Sequence, residues 1–214
     1  MDLKTIFNKN TYLISDQHFG HSKITEFEPS RLTETEKDSL QSQEDMIIQR
    51  HNSIVKEDDI VVFLGDFAFN SPSNWASKLN GKKYLILGNH DRPNHQSYER
   101  DFEHVFRGVY YDIDGINFVH KPEDELVSSV IVECEDYVLA FCHYPIGYED
   151  EHDFRRIELK NRIKLLSKIH DSFMIDYVIH GHVHSTSVPK DMYYNVSCEA
   201  INFTPIRLGE LICF

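Results

Sequence analysis

Thr11-Tyr-Leu-Ile-Ser-Asp-Gln-His18 opens with five residues rich in aromatic and β-branched types and ends in a carboxylate and an imidazole two positions apart. Such a run reads as a short buried strand with its polar pair at the strand end. The figure recurs: Ile60-Val-Val-Phe-Leu64 runs into Gly65-Asp66, and Tyr84-Leu-Ile-Leu87 into Gly88-Asn-His-Asp91. Between these strands Glu44 to Val55 carries Met46, Ile47, Ile54 and Val55 at near-helical spacing, Pro72 to Leu79 suits a short helix, and Asn80-Gly81 a turn. Strands alternating with helices predict a βαβ arrangement and an α/β fold class. Further on, the apolar runs between Val105 and Cys142, parted by Asp114-Gly115, read as an antiparallel meander. Glu149 to His170 reads as helix, and Asp176 to Ile179, Tyr193 to Val196 and Ile206 to Phe214 read as strands. The polar stretch Glu26 to Asp45 reads as a surface loop. No repeat or linker interrupts the chain, so residues 1–214 are expected to form one domain.

Composition narrows the function classes. The 214 residues are 41% hydrophobic and 27% charged, as in an ordinary globular protein with a sizeable core, which excludes disordered and fibrous classes. A formal net charge of −13 opposes broad docking on duplex nucleic acid. Four cysteines without a CxxC pair indicate neither a disulfide framework nor a thiolate zinc site, so a reduced, cytoplasmic setting is expected. No apolar run reaches the roughly 18 residues a membrane span needs, and Met1 to Asn10 has no long apolar segment.

Chemistry concentrates in clusters that follow strands: Asp16/His18, Gly65-Asp66, Gly88-Asn89-His90-Asp91, Cys142-His143 and Gly181-His182-Val-His184. In α/β sheets ligands gather at the carboxyl ends of strands, so these clusters can converge on one site. A pair at i and i+2 can reach one metal, or two adjacent ones, where the extended backbone begins to turn. Glycine ahead of the ligands allows that turn. Oxygen and imidazole donors without thiolate suit borderline divalent cations such as manganese, iron, cobalt or zinc; two such ions are expected, manganese foremost, with iron, zinc, nickel or cobalt as alternatives. Each cluster alone has a plain reading as a cap, a turn or a histidine tract; the series does not.

That ordered series resembles the five blocks of the calcineurin-like metallophosphoesterase superfamily. More narrowly, Ser15-Asp-Gln-His-Phe-Gly-His21, Asn52 ahead of Asp58-Asp59, Leu64-Gly-Asp-Phe-Ala68 and Leu79-Asn-Gly-Lys-Lys83 leading into Gly88-Asn-His-Asp-Arg92 resemble a branch of small stand-alone bacterial and phage phosphoesterases. The resemblance implies two mixed β-sheets flanked by helices, the αββα arrangement, with a dinuclear centre. It implies Asp16, His18, Asp66 and His184 at one metal and Asp66, Asn89, His143 and His182 at the second. A hydroxide between the metals would be the nucleophile and His90 the general acid, with Asp91 orienting its imidazole. The substrate is then expected to be a phosphomonoester or phosphodiester, a small molecule or nucleotide, with Asn89, Arg92 and His21 as candidate contacts. His21 can equally be a loop-capping histidine.

Both Val119-His-Lys-Pro122 and Cys142-His-Tyr-Pro145 place a histidine after an apolar run and before a proline, so His120 competes with His143; the more buried character of Tyr137 to Phe141 favours His143. His120 falls in a segment, Asp114 to Glu135, that looks longer than in relatives. His180 reads as a structural strand residue, and His51, His95, His104, His152 and His170 as ordinary, partly exposed histidines. Arg155 to Lys168 holds six basic residues with Leu159, Ile163 and Leu166 as an apolar stripe, a helix whose charges face solvent or a substrate. Two other readings stand beside the phosphoesterase: a nuclease acting on nucleic-acid ends, and a non-catalytic metal-binding scaffold for protein partners. Oligomeric state is left open. The loops Phe19 to Ser42, Pro93 to Phe102 and Gly147 to Arg156 are expected to set specificity.

Overall fold

In the computed structural model, which describes residues 1–38, 42–92, 98–146, 157–188 and 191–212, the apolar runs of the first half become the strands of one sheet. The elements in order begin with α1 (Leu3–Ile6), β1 (Tyr12–Ile14), α2 (Ile24–Phe27), α3 (Ser30–Lys37), α4 (Gln43–Ile54), β2 (Ile60–Phe63), α5 (Pro72–Ala76) and β3 (Lys82–Ile86). There follow α6 (Tyr98–Asp101), β4 (His104–Phe106), β5 (Val109–Ile113), β6 (Ile116–His120), β7 (Ser129–Cys134) and β8 (Tyr137–Cys142). The chain closes with α7 (Ile157–His170), β9 (Tyr177–His180), β10 (Tyr193–Asn195), β11 (Ile206–Arg207) and α8 (Leu208–Leu211). The first sheet has the order β11-β1-β2-β3-β4 and the second β10-β9-β8-β7-β5-β6.

Alternation along the strands explains the layering. Val61 and Phe63 of β2 pack with Met46 and Ile47 of α4 and Ala76 of α5 on one face, while Val62 and Leu64 turn to the other and meet Phe141, Val130 and Ile179 of the second sheet. Within the second sheet Ile131, Ala140 and Val178 point outward onto Leu159, Ile163 and Leu166 of α7. The result is helix, sheet, sheet, helix, with strands buried on both faces as their near-continuous apolar sequences require. α4 starts on a real cap: the Asp45 N–H donates to Ser42 Oγ at 3.1 Å, with Glu44 and Asp45 in the first turn.

Several expectations need correction. The stretch from Val105 to Cys142 is not a simple meander, because β4 joins the first sheet parallel to β3, and β5 pairs parallel with β7. Asp114 and Gly115, both at positive φ, close the two-residue β5–β6 hairpin, and the chain then returns to add β7 on the other edge of β5. Segment 114–135 therefore builds the edge strand β6 and the interior strand β7. The polar stretch Glu26 to Asp45 is largely helical, through α2, α3 and the start of α4. Its inward face is polar, with Arg31 and Thr35 buried at i and i+4, so no apolar period betrays it. The expected last strand is only Ile206–Arg207 before α8; residues 213–214 lie outside the described residues. So do residues 149–156 of the helix expected from Glu149 to His170, which is described from Ile157.

His51 and His170 are buried, not partly exposed. His51 Nε2 lies 3.0 Å from the Asn80 carbonyl, and His170 Nε2 2.9 Å from Ser129 Oγ. His180 sits buried at the end of β9, as a strand residue. His95 and His152 lie outside the described residues.

Candidate metal centre

The carboxyl ends of β1, β2, β3, β8 and β9 meet across the gap between the sheets, and each delivers one of the polar clusters. Asp66 stands in the middle. Its Oδ2 lies 3.5 Å from His143 Nε2, 3.7 Å from His18 Nε2 and 3.9 Å from His90 Nε2. Asp16 Oδ1 lies 3.7 Å from His18 Nε2 and 4.0 Å from His184 Nε2. His143 Nε2 is 3.0 Å from Asn89 Oδ1, and the His182 ring centres 5.1 Å from the His143 ring. The structure thus brings together Asp16, His18, Asp66, Asn89, His90, His143, His182 and His184. It also separates the two competing histidines: His143 is fully buried beside Asp66, whereas His120 is exposed at the end of edge strand β6.

The backbone is bent for this purpose. Asp16, His18, Asp66, His182 and His184 all adopt positive φ, between 49° and 73°. Asp and His tolerate this left-handed region better than most residues, yet each such position is sparsely populated and is held only where its surroundings over-determine it. Here the neighbouring strand ends do so: the Asp16 N–H donates to Gly65 O at 3.1 Å, His18 N–H to Asp66 O at 3.0 Å, and Gly181 N–H to His143 O at 3.0 Å. Two of the glycines serve close approach instead of a turn. A Cβ on Gly88 would stand 2.3 Å from Asp66 Oδ1, and one on Gly181 2.1 Å from Ser15 Oγ and 2.4 Å from Asp16 Oδ2.

Two carboxylates buried among imidazoles shape one another's ionisation. Burial opposes the charge on Asp66, but the His143 imidazole outweighs it and holds the carboxyl well below its usual range. Burial would likewise depress His143, yet Asp66 and Asp16 lift it to about 10. For His184 burial is overcome by Glu199 and Asp16, which raise it to about 9. The site is built to hold positive charge.

The donor set fits divalent cations. Asp16 Oδ1 and both ring nitrogens of His18 are buried with no hydrogen-bond partner, a costly condition unless something else coordinates them. The Asp66 and Asp16 separations are too long for hydrogen bonds. Ligand atoms about 2.1 Å from a shared cation stand roughly 3–3.5 Å apart, so small adjustments would place these donors around one. Among the described residues two groups have the necessary convergence: Asp16, His18 and His184, and Asp16, Asp66 and His143.

Sequence reasoning missed what holds these residues. Glu199 Oε2 lies 3.1 Å from His184 Nδ1, fixing the ring so that Nε2 faces Asp16. Its Oε1 accepts from Arg31 Nε at 2.7 Å and Nη2 at 2.6 Å. Arg31, fully buried, also donates to Asp16 O at 2.6 Å, Gln17 O at 2.8 Å and Gln43 Oε1 at 2.8 Å. The signal available was faint: an arginine inside a polar stretch and a glutamate after Val196-Ser-Cys198.

Asp91 takes a different place from the one expected. Its oxygens accept the Asp66 N–H at 2.8 Å, Gly88 N–H at 2.9 Å, Phe67 N–H at 3.1 Å and the Tyr98 hydroxyl at 2.9 Å. These bonds put it beneath the Asp66 turn, not behind the His90 imidazole. Burial, with the Asp66 charge adding to it, raises its carboxyl. His21 joins the rim with its ring 5.8 Å from that of His18, and its Nδ1 accepts the Lys23 N–H at 3.2 Å. Arg92 is exposed, with no described contact to the cluster. The loops 93–97 and 147–156 lie outside the described residues. On α7, Lys164 and Lys168 are exposed, as on a solvated helix face.

The sequence profile described as calcineurin-like phosphoesterase matches residues 10–186, which contain every residue of the cluster. The chain belongs to that family. Membership carries a general activity, metal-dependent hydrolysis of phosphoric esters. A gene 66 protein of Mycobacterium phage D29 is 31% identical over 190 residues, covering 86% of this chain and 82% of the phage protein. An uncharacterized protein of Methanocaldococcus jannaschii is 24% identical over 218 residues, 95% of this chain and 90% of its own length. A solved structure of a protein of unknown function from Aquifex aeolicus shares the fold, with a TM-score of 0.67 at 22% identity over 94% of this chain and 96% of that one. Among the described residues no helix is long and apolar enough to cross a membrane.

Proposed function

We propose that this calcineurin-like phosphoesterase, as one domain over residues 1–214, binds two divalent cations, manganese foremost, and hydrolyses a phosphomonoester or phosphodiester of a small molecule or nucleotide. Asp16, His18, Asp66 and His184 would hold one cation; Asp66, Asn89, His143 and His182 the other. The observation that carries this reading is the convergence on Asp66 Oδ2, with three imidazole Nε2 atoms within 3.9 Å, beside the unpartnered Asp16 Oδ1 and His18.

When bound, the cations supply Lewis-acid charge to the phosphoryl oxygens and make a water acidic enough to attack. The remaining work belongs to the side chains. Asp66 has an oxygen to turn toward either neighbour, and its Oδ1 accepts the His90 N–H at 2.8 Å, which fixes the position of His90. The His90 side chain keeps a third of its surface open to solvent, alone among the imidazoles nearest Asp66, so its ring can reach a substrate oxygen. It is the proton donor to the departing alkoxide. Cys134, Cys142 and Cys198 are free and buried, which suits a reducing, cytoplasmic compartment.

The test is to chelate the protein, reload it with Mn²⁺, and compare p-nitrophenyl phosphate with bis-p-nitrophenyl phosphate, using Asp66→Asn as control. Metal-dependent turnover lost in the variant supports the reading, and the preferred compound separates monoesterase from diesterase. A folded protein that binds no cation and cleaves neither compound with Mn, Fe, Ni, Co or Zn overturns it.

A further inference from the structure

A row of rings leads outward from His90. Phe69 lies against it at 4.9 Å between centroids, His21 stands edge-on to Phe69 at 4.1 Å, and Phe27 lies 6.1 Å beyond His21. The row ends in the open: Phe69 and His21 are half-buried and Phe27 is 68% exposed. Phe27 closes α2, and α2 is not a loose flap. Arg31, one helix further on, is fully buried and bonded to the carbonyls of Asp16 and Gln17, so the segment bearing Phe27 is anchored to the floor of the site. At the other end, His21 N–H donates to His18 O at 3.0 Å and Ile24 N–H to His21 O at 3.2 Å.

An exposed phenylalanine at the open end of a row of rings that starts at His90, on a segment anchored by the buried bonds of Arg31, can present a π-face to a ligand. Flat π-faces accept flat π-faces, and base–aromatic stacking is sequence-tolerant and effective in water. The geometry points to His21, Phe27 and Phe69 as a subsite for a planar aromatic ring on the departing alcohol, so that the substrate class is a phosphoester of a nucleoside or a comparable aromatic alcohol. The phosphoryl group lies at Asp66 and His90, and the aromatic ring lies along the row that starts there. A net charge of −13 fits an uncharged base better than a second phosphate at this rim. The inference rests on the phosphoesterase reading and sharpens it.

The experiment compares two esters of the same kind of primary alcohol, adenosine 5′-monophosphate and ribose 5-phosphate, and their methyl diesters, with the Mn²⁺-loaded enzyme. Because the leaving groups match chemically, only the base differs. Expected is a kcat/KM at least about tenfold higher for the adenosine ester, the scale of one stacking contact. That ratio collapses toward one in Phe27→Ala and Phe69→Leu. It persists in Phe118→Ala, a control at another exposed phenylalanine on β6. In parallel, saturation-transfer NMR with adenosine against ribose reads the subsite without turnover, with adenosine binding lost in Phe27→Ala. A ratio near one in the unmodified enzyme, or a preference that survives both rim variants, overturns the subsite. If neither ester is cleaved, the adenosine binding decides the subsite alone, while the missing turnover counts against these esters as substrates. Failure on bis-p-nitrophenyl phosphate as well counts against the phosphoesterase reading itself.

Discussion

The Asp91 carboxylate lies directly under the turn that presents Asp66, accepting the Asp66 and Phe67 N–H groups at 2.8 and 3.1 Å while Tyr98 donates to it from the far side. The positive φ of Asp66 is held from below by this contact. Asp91→Leu strands three buried N–H donors, at about 1–3 kcal/mol each. We expect a Tm lower by roughly 10 °C or more, together with loss of cation binding. Thermal unfolding with and without Mn²⁺ measures both, and an unchanged Tm would contradict the assignment.

Glu199 and Arg31 make a comparable prediction for the other end of the site. Glu199→Gln keeps the shape but removes the charge that holds His184 Nδ1, so affinity for the cation at His184 should fall about 10–100-fold. Arg31→Met leaves the buried Glu199 with His184 as its remaining partner and strands the carbonyls of Asp16 and Gln17, and should cost about 1–3 kcal/mol of stability. Competition titration against a fluorescent chelator reads the first effect and denaturant unfolding the second.

His90→Ala should leave cation stoichiometry intact. Turnover should fall by about 10²–10⁴ on alkyl esters and far less on p-nitrophenyl esters, which need little protonation. Equal losses on both would make His90 a binding residue.

Burial pushes His51 and His170 each down to about 4. The unfolded chain then takes up protons below about pH 6.5 that the fold refuses. Stability is fully present above that value and is lost as the pH falls toward 4, by about 3 kcal/mol per histidine at full extent. Unfolding of the chelated protein at pH 7 and 5 checks this, since His51→Gln should show a smaller loss between the two than the parent chain.

Strands β1, β2 and β3 of the first sheet could be read because each is a short apolar run ending in polar residues. Ile60 to Leu64 must be buried on both faces, and nothing else in the sequence offers that cover but helices and a second sheet. The candidate ligands were legible for the same reason, since each directly follows such a run. What could not be read is anything held by polar burial. Arg31 looks like a surface residue until Asp16 O, Gln17 O and Glu199 are found around it, and a partner 168 positions away leaves no local period. The parallel pairing of β5 with β7 was equally hidden, because a hairpin turn announces its own two strands but not the edge on which the next one lands. Asp91 misled for a related reason: proximity in sequence to His90 suggested a bond that the turn geometry gives to backbone amides.

Asp16, His18 and Asp66 hang from the first sheet, while His143, His182 and His184 hang from the second. Cations shared among them would rivet the two layers at one end, beside the backbone bonds that join Ser15 to Val196 and Cys198. Such a molecule tests its own assembly: a sheet that slips by one residue loses its rivets, and the misfolded form is the one that cannot keep its metal.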